Sequence, residues 1–446
     1  MHLTYRVLLA LQLLALVAVG EDQPKVVREF KDSALIDISR DGKWLLMSSR
    51  RRVKCADGKD LCYGNILTVV DAATSKMIGE LASKRNNDDP KDIESSQFLT
   101  PAFIDGRRVG TVEVYRDAQR KQSVREWLTW EPVTGLKEAA PTKLPKDFAY
   151  ECPIDGQQLL GLGPREIWPP YVPIERDGPT LYDTNDPRNR APRHVSRPLK
   201  ILELDSTQRD IGALTDAPAP FQMQCAAWRS GNTYLLQDAE AGKNYPDDIF
   251  GKSLTWFAAE RGASARHCRI FEGQRIHGYA ISVDGSLIAV VTSLREDSQR
   301  RTFLNVLEGQ SCRELKRFEL DFPEKPEQRS AFLLFGPKHA TNVPFPDQFA
   351  RSVAISPDKT KLAVSYGISR GISGLSFFGV YSMTDGRRLT TLDGDTYTPS
   401  LRDFFIGDIF SAREAPIAGT LGFSLDSNTL YTSSDHLRQW DISRLK

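Results

Sequence analysis

The six residues "AISVDG" at 280–285 return as "AISPDK" at 354–359, and looser relatives of the same stretch run along the whole chain. Each is a short alternating strand, a tight turn and a second apolar strand, so the chain must fold as a repeat of β-hairpins. Seven such segments begin at Leu35, Leu99, Ala149, Cys225, Tyr279, Val353 and Leu421. In the first strand, Ile36 and Ile38, Tyr279 and Ile281, or Val353 and Ile355 share one face. Ala280, Ser282, Ala354, Ser356, Gly422 and Ser424 occupy the other, so both faces must be buried, one of them tightly. The Asp-Gly pairs at 41–42, 105–106, 155–156 and 284–285 tolerate the positive φ that a tight hairpin demands. They read as turn formers, not catalytic acids.

Further apolar strands follow each hairpin, at 65–81, 125–135, 198–206, 253–262, 302–310 and 375–392. Four antiparallel strands per unit, repeated seven times, predict an all-β, seven-bladed β-propeller spanning residues 21–446 as a single domain. The stretch "YTSSDHLRQWDI" at 431–442 resembles the WD40 repeat, with Trp440 and Asp441 as its strand-ending dipeptide and Asp435 in the preceding hairpin. Elsewhere that position reads Val70-Asp71, Trp130-Glu131 or Leu204-Asp205, and His277-Gly278 reverses the family's Gly-His pair. The stretch "VVDAATSK" is similar to the YVTN repeats of exported propellers. The chain thus resembles a divergent WD40/YVTN-type propeller over nearly all of its mature length. The sequence stops at Lys446, just after the third strand of the last unit, and "KVVREF" at 25–30 has the spacing of a fourth. This N-terminal strand is expected to complete the last blade, which removes two exposed sheet edges.

Residues 1–20 read as an export signal: Arg6, an apolar run from Val7 to Val19, and small residues Ala18 and Gly20 before Glu21. A secreted or periplasmic location follows, with no integral membrane segment after signal removal. Export makes the six cysteines candidates for disulfides. Cys55 and Cys62 bracket a polar hairpin loop and are expected to pair, while the pairing of Cys152, Cys225, Cys268 and Cys312 stays open. With 59 basic against 58 acidic residues, no global field draws the protein to nucleic acid. No metal-ligand spacing, Gly-rich phosphate loop or nucleophile elbow occurs, so neither a metal nor a cofactor is expected.

Seven blades of about 40 residues leave roughly 145 for insertions. These fall between second and third strands (50–64, 113–124, 163–197, 239–252) or between units (82–97, 321–350, 393–417), which places them on one face. In the longest, Trp168, Tyr171 and Tyr182 alternate with Arg176, Arg188 and Arg190, the residue types that anchor interfaces. The apolar stretch at 401–410 is expected to pack as a short helix or lid. Arg275, His277 and Arg351 precede innermost strands and are expected at the mouth of the channel. The acidic stretches at 86–94 and 393–395 read as solvated loops, with calcium ligation as the alternative. The resemblance implies a protein- or peptide-binding scaffold, and catalysis is the lesser expectation. The alternatives are a propeller enzyme, lactonase-like or quinoprotein dehydrogenase-like, with chemistry at the channel mouth, or a structural part of an envelope complex.

Overall fold

The computed structural model describes residues 24–54, 61–83, 97–104, 106–117, 122–145, 148–153, 158–163, 166–168, 194–203, 208–216, 221–224, 233–241, 249–258, 266–269, 274–296, 299–309, 311–320, 347–370, 373–397, 420–434 and 436–445. Every helix or strand among them is a strand. Strand β1 (Lys25–Phe30) precedes a first meander of β2 (Ser33–Ile38), β3 (Trp44–Lys54), β4 (Leu61–Asp71) and β5 (Met77–Ala82). A second comprises β6 (Gln97–Phe103), β7 (Val109–Asp117), β8 (Gln122–Trp130) and β9 (Lys137–Lys143). The third holds β10 (Ala149–Pro153), β11 (Gln158–Leu162), the short β12 (Glu166–Trp168), β13 (His194–Glu203) and β14 (Gln208–Asp216). Then come β15 (Phe221–Gln224), β16 (Thr233–Ala241), β17 (Ile249–Ala258) and β18 (Arg266–Arg269), followed by β19 (Arg275–Ile281), β20 (Leu287–Glu296), β21 (Gln299–Glu308) and β22 (Glu314–Glu319). The last two groups are β23 (Asp347–Ile355), β24 (Lys361–Arg370), β25 (Ser373–Ser382) and β26 (Arg388–Tyr397), then β27 (Thr420–Phe423), β28 (Thr429–Ser433) and β29 (Leu437–Asp441).

Hydrogen bonding gathers these strands into six antiparallel sheets, four of them four-stranded and one five-stranded. The eight-stranded sheet contains two successive meanders, β15 to β18 and β19 to β22, bridged by the single pair Gly251 and Ile276. The expected completion of the last sheet is present: β1 pairs with β29, with Val26 opposite Trp440 and Phe30 opposite Leu437.

Two compact units divide the strands, residues 35–320 and residues 1–34 with 321–446. In the first, Leu46, Val69 and Leu81 pack on Phe103, Val109 and Trp130 of the next sheet. Val112 and Trp127 then meet Phe148, Leu159 and Leu202 of the third. In the second unit, Phe378 and Leu392 pack against Phe423, Leu430 and Trp440. Central strands are buried on both faces, as Ile288, Ala289, Val290 and Val291 show in succession, which explains their unbroken apolar runs.

One turn recurs where first and second strands meet. Ser39 Oγ donates to Asp41 Oδ1 at 2.8 Å, Lys43 N donates to the same oxygen at 3.1 Å, and Trp44 N donates to Ser39 Oγ at 2.9 Å. Ser282 with Asp284, Ser356 with Asp358 and Ser424 with Asp426 repeat it. The chain turns through positive φ at Gly42, Gly285, Lys359 and Ser427. At three of these turns the carboxyl lies below the usual aspartate range. For Asp41 and Asp358, burial alone would raise it, but the serine hydroxyl and backbone amide prevail, and for Asp426 the Ser424 hydroxyl dominates.

The turns between third and fourth strands sit beside these, since Ala72 N donates to Lys43 O, Gly309 N to Ser286 O and Met383 N to Thr360 O. A Cβ on Gly309 would lie 1.9 Å from Gly285 O, so the close approach requires glycine. In these three meanders both kinds of short turn therefore share one end of the sheet.

Candidate functional site

The other end of the sheets is built differently. In three of the meanders, at β3–β4, β7–β8 and β20–β21, strands two and three run on past their neighbours as two-stranded ribbons. In the first meander β5 accompanies β4 from Ile66 to Val70, whereas the β3–β4 ladder continues from Arg50 opposite Asn65 to Lys54 opposite Leu61. Much of what reads as loop at 50–64, 113–124 and 239–252 is thus strand, because backbone pairing between two extended segments persists where polar side chains hide the apolar alternation. The ribbons carry basic residues by register: Arg50, Arg51, Arg52 and Lys54 lie along β3, and Arg295 stands opposite Arg300 in the β20–β21 ladder.

The longest insertion is mounted on such a ribbon. Beyond the core of its sheet, β12 pairs with the start of β13, with Trp168 opposite His194, and β14 flanks β13 from Val195 to Leu202. Three strands thereby form a stem at the root of residues 169–193. Tyr171, Arg176, Tyr182, Arg188 and Arg190 lie outside the described residues, as do Cys55 and the 401–410 stretch. For Trp168, Arg275, Arg351 and Cys62 the description covers the backbone, with Cys62 opposite Val53.

Arg275, His277 and Arg351 were expected ahead of the innermost strands, and the structure corrects this by placing them within β19 and β23. His277 and Arg351 fall where the register slips, between Ile276 and Gly278 and between Ala350 and Val353. The same slip occurs in β6 between Leu99 and Ala102 and in β10 between Tyr150 and Cys152. Such bulges re-aim side chains and bend a strand. Half-buried His277 meets Ser293 Oγ through Nε2 at 2.6 Å, and Ser293 itself is buried. The described contact of His277 is therefore with its own sheet.

A second correction concerns 393–395. Asp393 and Asp395 lie on β26, and Asp395 is buried where it accepts hydrogen bonds from the Arg438 guanidinium, His436 N and Ser434 Oγ. Arg438 also reaches Glu29 on β1 at 3.2 Å, so this carboxylate helps hold the last sheet to its neighbour and to the N-terminal strand. A buried ion pair of this kind needs just such surrounding donors. The partners lie about forty residues apart, which is why the sequence read them as a solvated loop. Trp440 Nε1 donates to Thr432 Oγ1 at 2.9 Å, tying the Trp-Asp strand to its hairpin partner.

An open cleft of about 540 Å³ lies at the ribbon end of β19 to β22, lined by Gln274, Leu294, Arg301, Phe303, Arg317 and Glu319. Arg301 binds Glu319 in a fork at 2.8 and 2.6 Å, and this hydrogen-bonded contact holds the Glu319 carboxyl below its usual range. Arg317 stacks 4.0 Å above the Phe303 ring centre. Behind it, Asn305 Nδ2 donates to Thr292 Oγ1 and Thr292 Oγ1 to Gln274 Oε1, while the buried Asn305 Oδ1 has no partner. No single-residue motif marks this cleft; the alternation of "RRTFLN" puts Arg301, Phe303 and Asn305 on one face and was the available signal. It offers two arginines, one of them paired with Glu319, an aromatic face and the Gln274 amide at an open surface. Among the described residues no group of three His, Cys, Asp or Glu is placed to hold a metal.

The sequence matches no protein-family model and no curated protein. Among solved structures, an oligogalacturonate lyase in complex with manganese aligns with TM-score 0.51 at 13% identity over 95% of this chain and 98% of its own. The Dos1 propeller aligns with TM-score 0.42 at 10% identity over 94% and 96%, and Chaetomium thermophilum Sqt1, bound to the N-terminus of ribosomal protein L10, with 0.40 at 9% over 94% and 100%. At such identities the first likeness speaks to fold alone. The chain is a divergent β-propeller, built of antiparallel sheets with its N-terminal strand completing the last one.

Proposed function

We propose that this chain is an exported, seven-bladed propeller that holds a protein or peptide partner on the ribbon end of its sheets. One observation carries the reading: residues 169–193, rich in aromatic and arginine side chains, are rooted in the three-stranded stem of β12, β13 and β14. A loop fixed at its root spends less conformational entropy when it binds. The basic residues carried by the β3–β4 and β20–β21 ladders, among them Arg50, Arg51, Arg52, Arg295 and Arg300, favour an acidic partner.

Trp168 and His194 are ladder partners, so replacing 169–193 by an Asn-Gly turn keeps the hairpin intact. The shortened protein, with an unchanged melting temperature, is expected to lose the partner that the full chain retains in a pull-down from native extract. Undiminished retention contradicts the assignment. Export has its own check: the mature protein recovered outside the cytoplasm should begin at Glu21.

A further inference from the structure

Cys312 is disulfide-bonded, and it stands at a backbone position that does not by itself favour cysteine. It occupies the last position of the turn between β21 and β22, where Cys312 N donates to Glu308 O at 2.8 Å. The same turn recurs as Ser75 N to Asp71 O, Gly135 N to Glu131 O and Gly386 N to Ser382 O. That position has positive φ in all four, 61°, 70°, 57° and 73° in chain order. Glycine and small polar residues fill it at least strain; a cysteine there is an unfavourable choice for the turn itself. Its presence is explained by a cross-link.

We propose that the partner of Cys312 is Cys268, and that this bond staples the two meanders of the eight-stranded sheet. Cys312 packs against a cluster containing Leu254 of β17 together with Ile276, Tyr279, Ile281, Ile288, Val290 and Leu307. Cys268 is the ladder partner of Leu254 on β18. Directly opposed residues of an antiparallel pair turn to the same face, so the register puts Cys268 on the face of its sheet that meets the Cys312 turn. Two of the other cysteines are less well placed. Cys152 belongs to β10, paired with Leu160 in a different sheet, and Cys62 belongs to the β3–β4 ribbon. Cys225 lies outside the described residues.

The bond has a mechanical role. The ladder joins the two meanders at one residue pair, Gly251 with Ile276, and the staple adds a covalent tie between β18 and the β21–β22 turn. Its formation takes two electrons and two protons from the two thiols. An oxidised protein disulfide of the export compartment accepts them by thiol–disulfide exchange, ending as a dithiol.

The test is disulfide mapping of the purified, full-length exported protein, alkylated and digested with trypsin without reduction. The expected species joins the peptide 267–269 to the peptide 302–313 and separates into the two on reduction. Recovery of Cys312 in alkylated form, or joined to a peptide carrying any other cysteine, overturns the assignment. Melting temperature supplies an independent reading: Cys268→Ser and Cys312→Ser should each lower it, and the double variant by no more than the larger single loss. Additive losses contradict the pairing. Both readouts stand apart from partner retention, so this pairing and the binding role can fail separately.

Discussion

The two ends of each sheet obey different rules. At the short-turn end, a serine hydroxyl, an aspartate carboxylate and a positive-φ residue recur at Ser39–Gly42, Ser282–Gly285, Ser356–Lys359 and Ser424–Ser427, and every group has an assigned backbone partner. At the ribbon end, β3 carries Arg50, Arg51 and Arg52 into a ladder that β5 no longer supports. One end is fixed by satisfied local hydrogen bonds and contributes to stability. The other gives up such support, and it is where the proposed partner surface is assigned.

That contrast can be broken at its tight end first. Gly309→Val drives a side chain into the Gly285 carbonyl, and the expected loss is about 3 kcal/mol, the upper range for overpacking. A urea midpoint close to wild type would show that the paired turns are looser than described. Next in size, Asp358→Ala removes an acceptor used by Ser356 Oγ, Thr360 N and Thr360 Oγ1, and should cost about 1 to 2 kcal/mol. Equilibrium denaturation measures it.

Acid provides a smaller, graded version. Asp41, Asp358 and Asp426 titrate below the ordinary 3.8 in the folded protein, so the unfolded chain takes up protons first as pH falls. Their contribution is complete above that value and is lost as pH drops through the lower folded values. Replacing all three by Asn should flatten the fall in stability below pH 3.8. Parallel curves for the two proteins would deny the turns this role. The smallest effect belongs to the ribbon end: closing Asp117 to Gln122 with an Asn-Gly turn in place of 118–121 should change stability by no more than about 0.5 kcal/mol. A large loss in the same denaturation assay would make the ribbon tip structural.

What could be read from the sequence follows the same division. The Asp-Gly turns were legible because the φ they need is decided locally, and the partner of "KVVREF" because one sheet lacked a strand. The bulges at His277 and Arg351 were not, since register is settled by the facing strand. Asp395 was missed for a related reason: its donors, Arg438 and His436, come from another sheet. The ribbons escaped notice because paired backbone needs no apolar alternation.

The fold rests on the N-terminal strand being an integral member of the last sheet, and backbone hydrogen exchange examines that directly. The amides of residues 25–30 should exchange as slowly as those of 437–441, in one cooperative step, while 50–54 on the β3 ribbon exchange faster. Rapid, independent exchange of 25–30 would mean that β1 does not complete the sheet.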